Sequence, residues 1–142
     1  MVRDNADWPS FQAALALTLA RMPADGCLVI KASGNRFAQF TVMGEVIHAE
    51  IVDGAVVEDS YEISWEDAAR LVADGWAAPS EDSWPNWYRE ISWPALYRDF
   101  EEMADRAVSA LRDVLEVAEA SELSVESWVN FGGGDFDTSA LE

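Results

Sequence analysis

The chain contains one cysteine, Cys27, and one histidine, His48. A thiolate–imidazole nucleophile could be built only from these two. Both fall on expected strands, so proximity is conceivable, but no supporting motif surrounds either. The plainer reading is a small strand cysteine and a surface histidine on the polar face of the third strand. A structural zinc site needs four ligands of these types, more than the chain supplies. Carboxylates are numerous, with 27 Asp and Glu, so close pairs arise by chance. Asp99, Glu101 and Glu102 sit on a helix face that reads as solvated, and nothing singles out a pair raised in pKa within a cleft. Asp135-Phe136-Asp137-Thr138-Ser139 resembles the start of a calcium loop, but Glu142 comes before a twelfth position and no glycine stands at the sixth. Gly132-Gly133-Gly134 lacks the Lys-Ser/Thr of a phosphate-binding loop. The expectation is a non-enzyme, with no catalytic residue, no metal and no cofactor.

The aromatic residues carry more signal. Trp76, Trp84, Trp87, Tyr88, Trp93 and Tyr97 crowd into one stretch of chain. Such side chains bury large areas and also anchor interfaces. Some fill the core between the second and third helices, yet six around a turn-rich loop exceed what one small junction needs. Arg89, one of nine basic residues, lies among them. It can pair with an acid, stack on a ring, or hold a partner's carboxylate.

The elements that position these residues follow from periodicity. Phe11, Leu15, Leu19 and Met22 mark one face of a helix from about Pro9 to Met22. Three short strands follow, over Cys27–Ala32, Arg36–Met43 and Glu45–Val52, joined by tight turns as an antiparallel meander. A second helix starts at Ser64, with Trp65, Ala68, Ala69 and Val72 as its apolar stripe and Gly75 closing it. Asn86–Ser92 reads as a fourth strand. The longest helix runs from Pro94 to about Val117 with Leu96, Phe100, Met103, Ala107, Leu111 and Val114 inward. Leu123–Asn130 reads as a last strand. The fold class is α+β, an antiparallel sheet of about five strands flanked by three helices. Residues 1–130 form a single domain and residues 131–142 a flexible acidic tail.

The composition is acidic and apolar together: a formal charge of −18, half of the residues hydrophobic, and seven tryptophans. That apolar content argues against a disordered chain. The charge argues against binding nucleic acid, which needs a basic face, and against anionic membranes. The polar N-terminus shows no apolar signal region, and Phe11–Ala20 is too short to span a bilayer. A cytoplasmic, reducing setting is expected.

Leu71-Val72-Ala73-Asp74-Gly75-Trp76, Pro79, Asn86-Trp87-Tyr88-Arg89-Glu90, and a long helix carrying Ala107 and Leu111-Arg112-Asp113-Val114-Leu115 together make a pattern. It resembles the type III secretion chaperone and YbjN-related peptide-binding chaperone domains of high-GC bacteria, the TY-Chap group. The resemblance is carried by residues 63–117. The N-terminal helix and three strands match in order rather than in motif, and the tail is not covered. The resemblance implies a sandwich of helix, three strands, helix, two strands and helix. It also implies a non-enzymatic domain that holds peptide segments of partner proteins, often as a dimer.

The leading expectation is a chaperone- or adaptor-like domain with a protein or peptide client. Trp76, Trp87, Tyr88 and Arg89 form its contact set, and a homodimer is compatible with the stripes. The alternative is an acidic immunity or inhibitor protein that blocks a basic toxin or nuclease. Its support is the run from Glu45 to Ala69, free of Lys and Arg and holding eight acids.

Overall fold

Asp7 starts the first helix. Its carboxylate accepts the Ser10 amide at 2.8 Å, and Pro9 sits in the first turn, where no backbone donor is needed. In the computed structural model, which describes residues 2, 6–53 and 63–142, this helix, α1, spans Trp8–Ala20. Phe11, Leu15, Leu19 and Met22 are buried, as their spacing predicts.

The strands are β1 (Gly26–Ala32), β2 (Arg36–Met43), β3 (Val46–Ile51), β4 (Trp87–Ser92) and β5 (Ser124–Val129). They form one sheet in the order β4-β3-β2-β1-β5, and every neighbouring pair is antiparallel. The β1–β2–β3 meander is thus extended on one side by β4 and on the other by β5, which leaves these two late strands as the edges.

Strand alternation sorts the sheet into two faces. Leu28, Ile30 and Ala32, Ala38, Phe40 and Val42, and Ile47, Ala49 and Ile51 share one core with Phe11, Leu15 and Leu19 of α1. The same core takes Phe100, Met103 and Ala107 of α3 (Tyr97–Ser109), and Leu111 and Val114 of the π-helical turn Ala110–Val114 that continues it. Helices therefore cover one face, giving the expected α+β architecture. The other face carries Cys27, Thr41, His48, Glu50, Tyr88 and Glu90.

Two inward stripes differ from expectation. Leu96 is exposed because it is the extended residue before α3, at φ −75° and ψ 151°, outside the helical period. The helix begins at Tyr97, with Asp99 accepting the Leu96 amide at 3.2 Å. In α2 (Trp65–Ala73), Leu71 is buried, whereas Trp65 is 80% exposed and Val72 58%. Glu66, Asp67 and Arg70 do mark a polar side, but Leu71 lies at the border of the Trp65–Ala68–Ala69–Val72 stripe rather than within it, and the C-terminal closure turns that border inward.

Leu141 is buried in the segment after Asn130, which reads in sequence as a flexible tail. Among the described residues, no helix is long and apolar enough to cross a membrane. Glu58, Asp59 and Glu62 of the Lys/Arg-free acidic run lie outside the described residues.

Candidate functional site

The motif residues of the sequence meet where α2 ends against β4. At the end of α2 the Gly75 amide donates to Val72 O at 3.1 Å and the Trp76 amide to Leu71 O at 2.9 Å. This is a Schellman closure, and Gly75 supplies the φ of +94° that it needs. The closure folds Trp76 back over the helix end, so Leu71 and Trp76 are buried together. The Leu-x-x-x-Gly-Trp spacing is thereby a helix terminator that plants an indole in the core.

The Asn-Trp-x-Arg element answers it from β4. Asn86 accepts the Asp53 amide at 3.0 Å, fixing the start of the strand. Trp87 pairs with Ile51 and Arg89 with Ala49, which turns both toward the helices. Arg89 Nη1 donates to Asp74 O, the cap carbonyl of α2, at 2.9 Å. Its Nη2 donates to Glu102 on α3 at 3.2 Å, and its guanidinium lies 5.9 Å from the centre of the Trp76 ring. One arginine thus ties α2, β4 and α3 together.

Trp76 and Trp87 are 2% and 6% exposed, and Arg89 is half-buried. Four buried side-chain polar atoms among the described residues have no hydrogen-bond partner. Three are donors at this junction: Trp76 Nε1, Trp87 Nε1 and Arg89 Nε. Unpaired buried donors are uncommon and costly, roughly 1–3 kcal/mol each. The edge strand beside them is only partly closed. Tyr88 exchanges both backbone hydrogen bonds with Ala77, at 2.7 and 3.1 Å. By antiparallel alternation the N–H and C=O of Glu90 and Ser92 point the same way, outward.

Tyr88 stands apart from the other three expected contacts, on the opposite face. There it stacks on His48 at 5.5 Å between centroids, and Trp84 covers the same imidazole at 4.0 Å. His48 is 1% exposed, which corrects the expected surface histidine: the Trp84 loop and Tyr88 enclose it. His48 Nδ1 lies 2.9 Å from Glu90 Oε2, while Nε2, 3.8 Å from Glu50, is the fourth unpartnered atom. Sequence reasoning missed this cluster because its members come from β3, a loop and β4. The alternation of Tyr88 against Trp87 and Arg89 was the available signal.

Cys27 and His48 share this face but do not pair. Cys27 faces Thr41 and Thr41 faces His48 in register, so two strand spacings, about 10 Å, separate them. Burial pushes the Cys27 thiol up, Glu50 adds in the same direction, and the Thr41 hydrogen bond opposes both. Cys27 should therefore react with an aromatic disulfide reagent at neutral pH at least about 100-fold more slowly than free cysteine, until denaturant is added. Rapid labelling of the folded chain would contradict this. Among the described residues, no group of three His, Cys, Asp or Glu could hold a metal ion.

Tyr97 lies elsewhere again, in an open cavity of about 390 Å³ that it lines with Trp8, Ala13, Glu101 and Arg112. Arg112 is committed to Asp113 through two 2.9 Å hydrogen bonds, which hold that carboxyl below its ordinary range.

No match was found among curated proteins or among solved structures. The family model described as T3SS (YopN, CesT) and YbjN peptide-binding chaperone 3, TY-Chap3, matches residues 3–129. That span takes in all five strands, all three helices and the α2–β4 junction, and the chain belongs to this family of peptide-binding chaperone domains.

Proposed function

We propose that this protein is a non-enzymatic chaperone or adaptor that holds an extended client segment at the α2–β4 junction. The observation that carries this reading is the trio of buried N–H donors without acceptors: Trp76 Nε1, Trp87 Nε1 and Arg89 Nε. An extended peptide is rich in carbonyl oxygens, the acceptors these donors lack. It can add to the outer edge of β4 through Glu90 and Ser92 and set alternate side chains toward the aromatic residues. The lightly packed α2, with Leu71 as its buried anchor, is the element that yields to admit it. At Tyr88 both outward backbone groups are taken by Ala77 of the same chain, so the added strand would start beyond it, at Glu90.

The alternative, a charge-driven inhibitor of a basic toxin, rests on the run from Glu45 to Ala69, free of Lys and Arg and holding eight acids, and salt separates the two. A fluorescent extended apolar peptide titrated against the full chain at about 0.05 and 0.5 M salt should change in affinity by less than about threefold, because buried contacts are screened little. A steep loss at high salt, with basic peptides bound far better than neutral ones, would overturn the aromatic reading in favour of the electrostatic one.

A further inference from the structure

The far edge of the sheet holds a second feature, independent of the α2–β4 site. The family match ends at residue 129, yet the chain beyond it returns to the domain. Gly132 and Gly134, at φ +79° and +84°, allow a reversal that brings Gly134 O back to the Val129 amide at 2.7 Å. A Cβ at Gly133 would collide with the Val129 side chain, so the turn sits tight on the strand. From there Phe136 packs against the core, and the short turn Ser139–Leu141 lies on α1 with Leu141 only 2% exposed. Asp137, just before that turn, accepts the Ser139 amide at 2.9 Å, and hydrogen bonding to Ser139 holds its carboxyl below the ordinary range.

This segment engages the domain as a bound peptide would. It makes one β-bridge to an edge strand and sets two large apolar side chains, Phe136 and Leu141, against the core on either side of Asp137. Further along that edge, alternation from Val129 points the N–H and C=O of Ser127 and Val125 outward, and among the described residues neither has a backbone partner there, while the next outward carbonyl, Leu123 O, accepts the Val2 amide at 3.2 Å. We propose that the β5 edge and the adjoining flank of α1 form a second peptide-accepting surface. Residues 134–141 occupy it in cis as a strap, and an extended client segment with two large apolar side chains around an acidic residue displaces them.

The short connection through Gly132 and Gly133 gives the strap an effective concentration on the order of millimolar, which raises the apparent dissociation constant of any competing peptide. The test uses a labelled peptide of sequence Gly-Asp-Phe-Asp-Thr-Ser-Ala-Leu-Glu, corresponding to residues 134–142. It is titrated against the wild-type chain and against the full-length double variant Phe136→Ser, Leu141→Ser. The variant should keep a cooperative melt and bind this peptide at least about tenfold more tightly than wild type. A peptide with serine in place of Phe and Leu should bind neither chain. A folded variant with no gain overturns the proposal.

Amide exchange on the wild-type chain gives a second reading should the variant fail to fold. The Leu141 and Glu142 amides, which donate to Thr138 and Ser139, should exchange by local opening at least about 100-fold faster than those of Leu15 and Leu19 in α1. Excess tail peptide should speed them further. Exchange of both sets at one common rate would make the segment an integral part of the core and overturn the strap.

Discussion

Replacing Arg36 with alanine should destabilise the domain by about 3–5 kcal/mol, the cost of losing several charge-assisted hydrogen bonds and leaving their buried acceptors unpaired. Arg36 opens β2 and is buried. Its Nε donates to Ser33 O at 2.7 Å and its Nη2 to Ser33 Oγ at 3.1 Å. Its Nη1 reaches across the molecule to Leu115 O at 3.0 Å and Glu116 O at 3.1 Å. Those two carbonyls follow the π-helical turn after α3, where helix geometry leaves oxygens without intrahelical donors. The guanidinium therefore closes the longest helical segment and fastens it to the start of the meander. Alanine would strand these acceptors in the interior as well as lose the packing of the side chain. For a chain of this length the loss corresponds to a fall in Tm of roughly 10 °C or more. Arg36→Lys should recover only part of it, because an ammonium cannot serve these divergent acceptors from one planar fork. Lys31→Ala, at an exposed position on β1, is the control and should change stability by less than about 0.5 kcal/mol. An Arg36→Ala variant within about 1 kcal/mol of wild type in chemical unfolding would refute the capping role.

Arg36 also shows where sequence reading ends. The meander was legible because alternation over Cys27–Ala32 and Glu45–Val52 leaves one assignment of faces, and the structure keeps it. The helix of Phe11, Leu15 and Leu19 was legible for the same reason at a longer period. Pro9, a residue that needs no donor, marked its first turn, while the capping acceptor Asp7 is seen only in the structure. Arg36 gave no such signal. Its partners stand some eighty residues away at Leu115 and Glu116, and a lone arginine at a strand start reads as solvated. The orientation of α2 was illegible for a different reason. Trp65, Ala68, Ala69 and Val72 make an apolar stripe, yet the buried anchor is Leu71 at its border, a choice that follows from the Gly75–Trp76 closure and not from the period. The aromatic cluster was visible as a cluster but not as two. One residue of alternation sends Tyr88 to His48 and Trp84, while Trp87 and Arg89 go to the helices.

That division decides how Trp87 must be probed. Trp87→Ala would empty a site that is 6% exposed and should cost about 3–5 kcal/mol in stability, so any loss of peptide capture would be ambiguous. Trp87→Phe is the informative substitution. It keeps an aromatic ring in the core but removes Nε1, an N–H that is buried without an acceptor. Loss of ring volume opens a small cavity, while deleting an unsatisfied donor removes its desolvation penalty, roughly 1–3 kcal/mol. The two terms oppose, and the folded variant should lie within about 1 kcal/mol of wild type. Capture of an extended peptide should nevertheless weaken about five- to tenfold, the worth of one hydrogen bond. Trp76→Phe should behave alike, because its indole nitrogen is in the same condition. The double variant should lose more than either alone if both donors address one client backbone. Two folded Phe variants that bind as tightly as wild type would sink the donor reading, and Trp76 and Trp87 would then be core residues alone. A stable fold with weakened capture would instead identify the unpaired donors as binding capacity, maintained at a cost in stability that packing at the junction offsets.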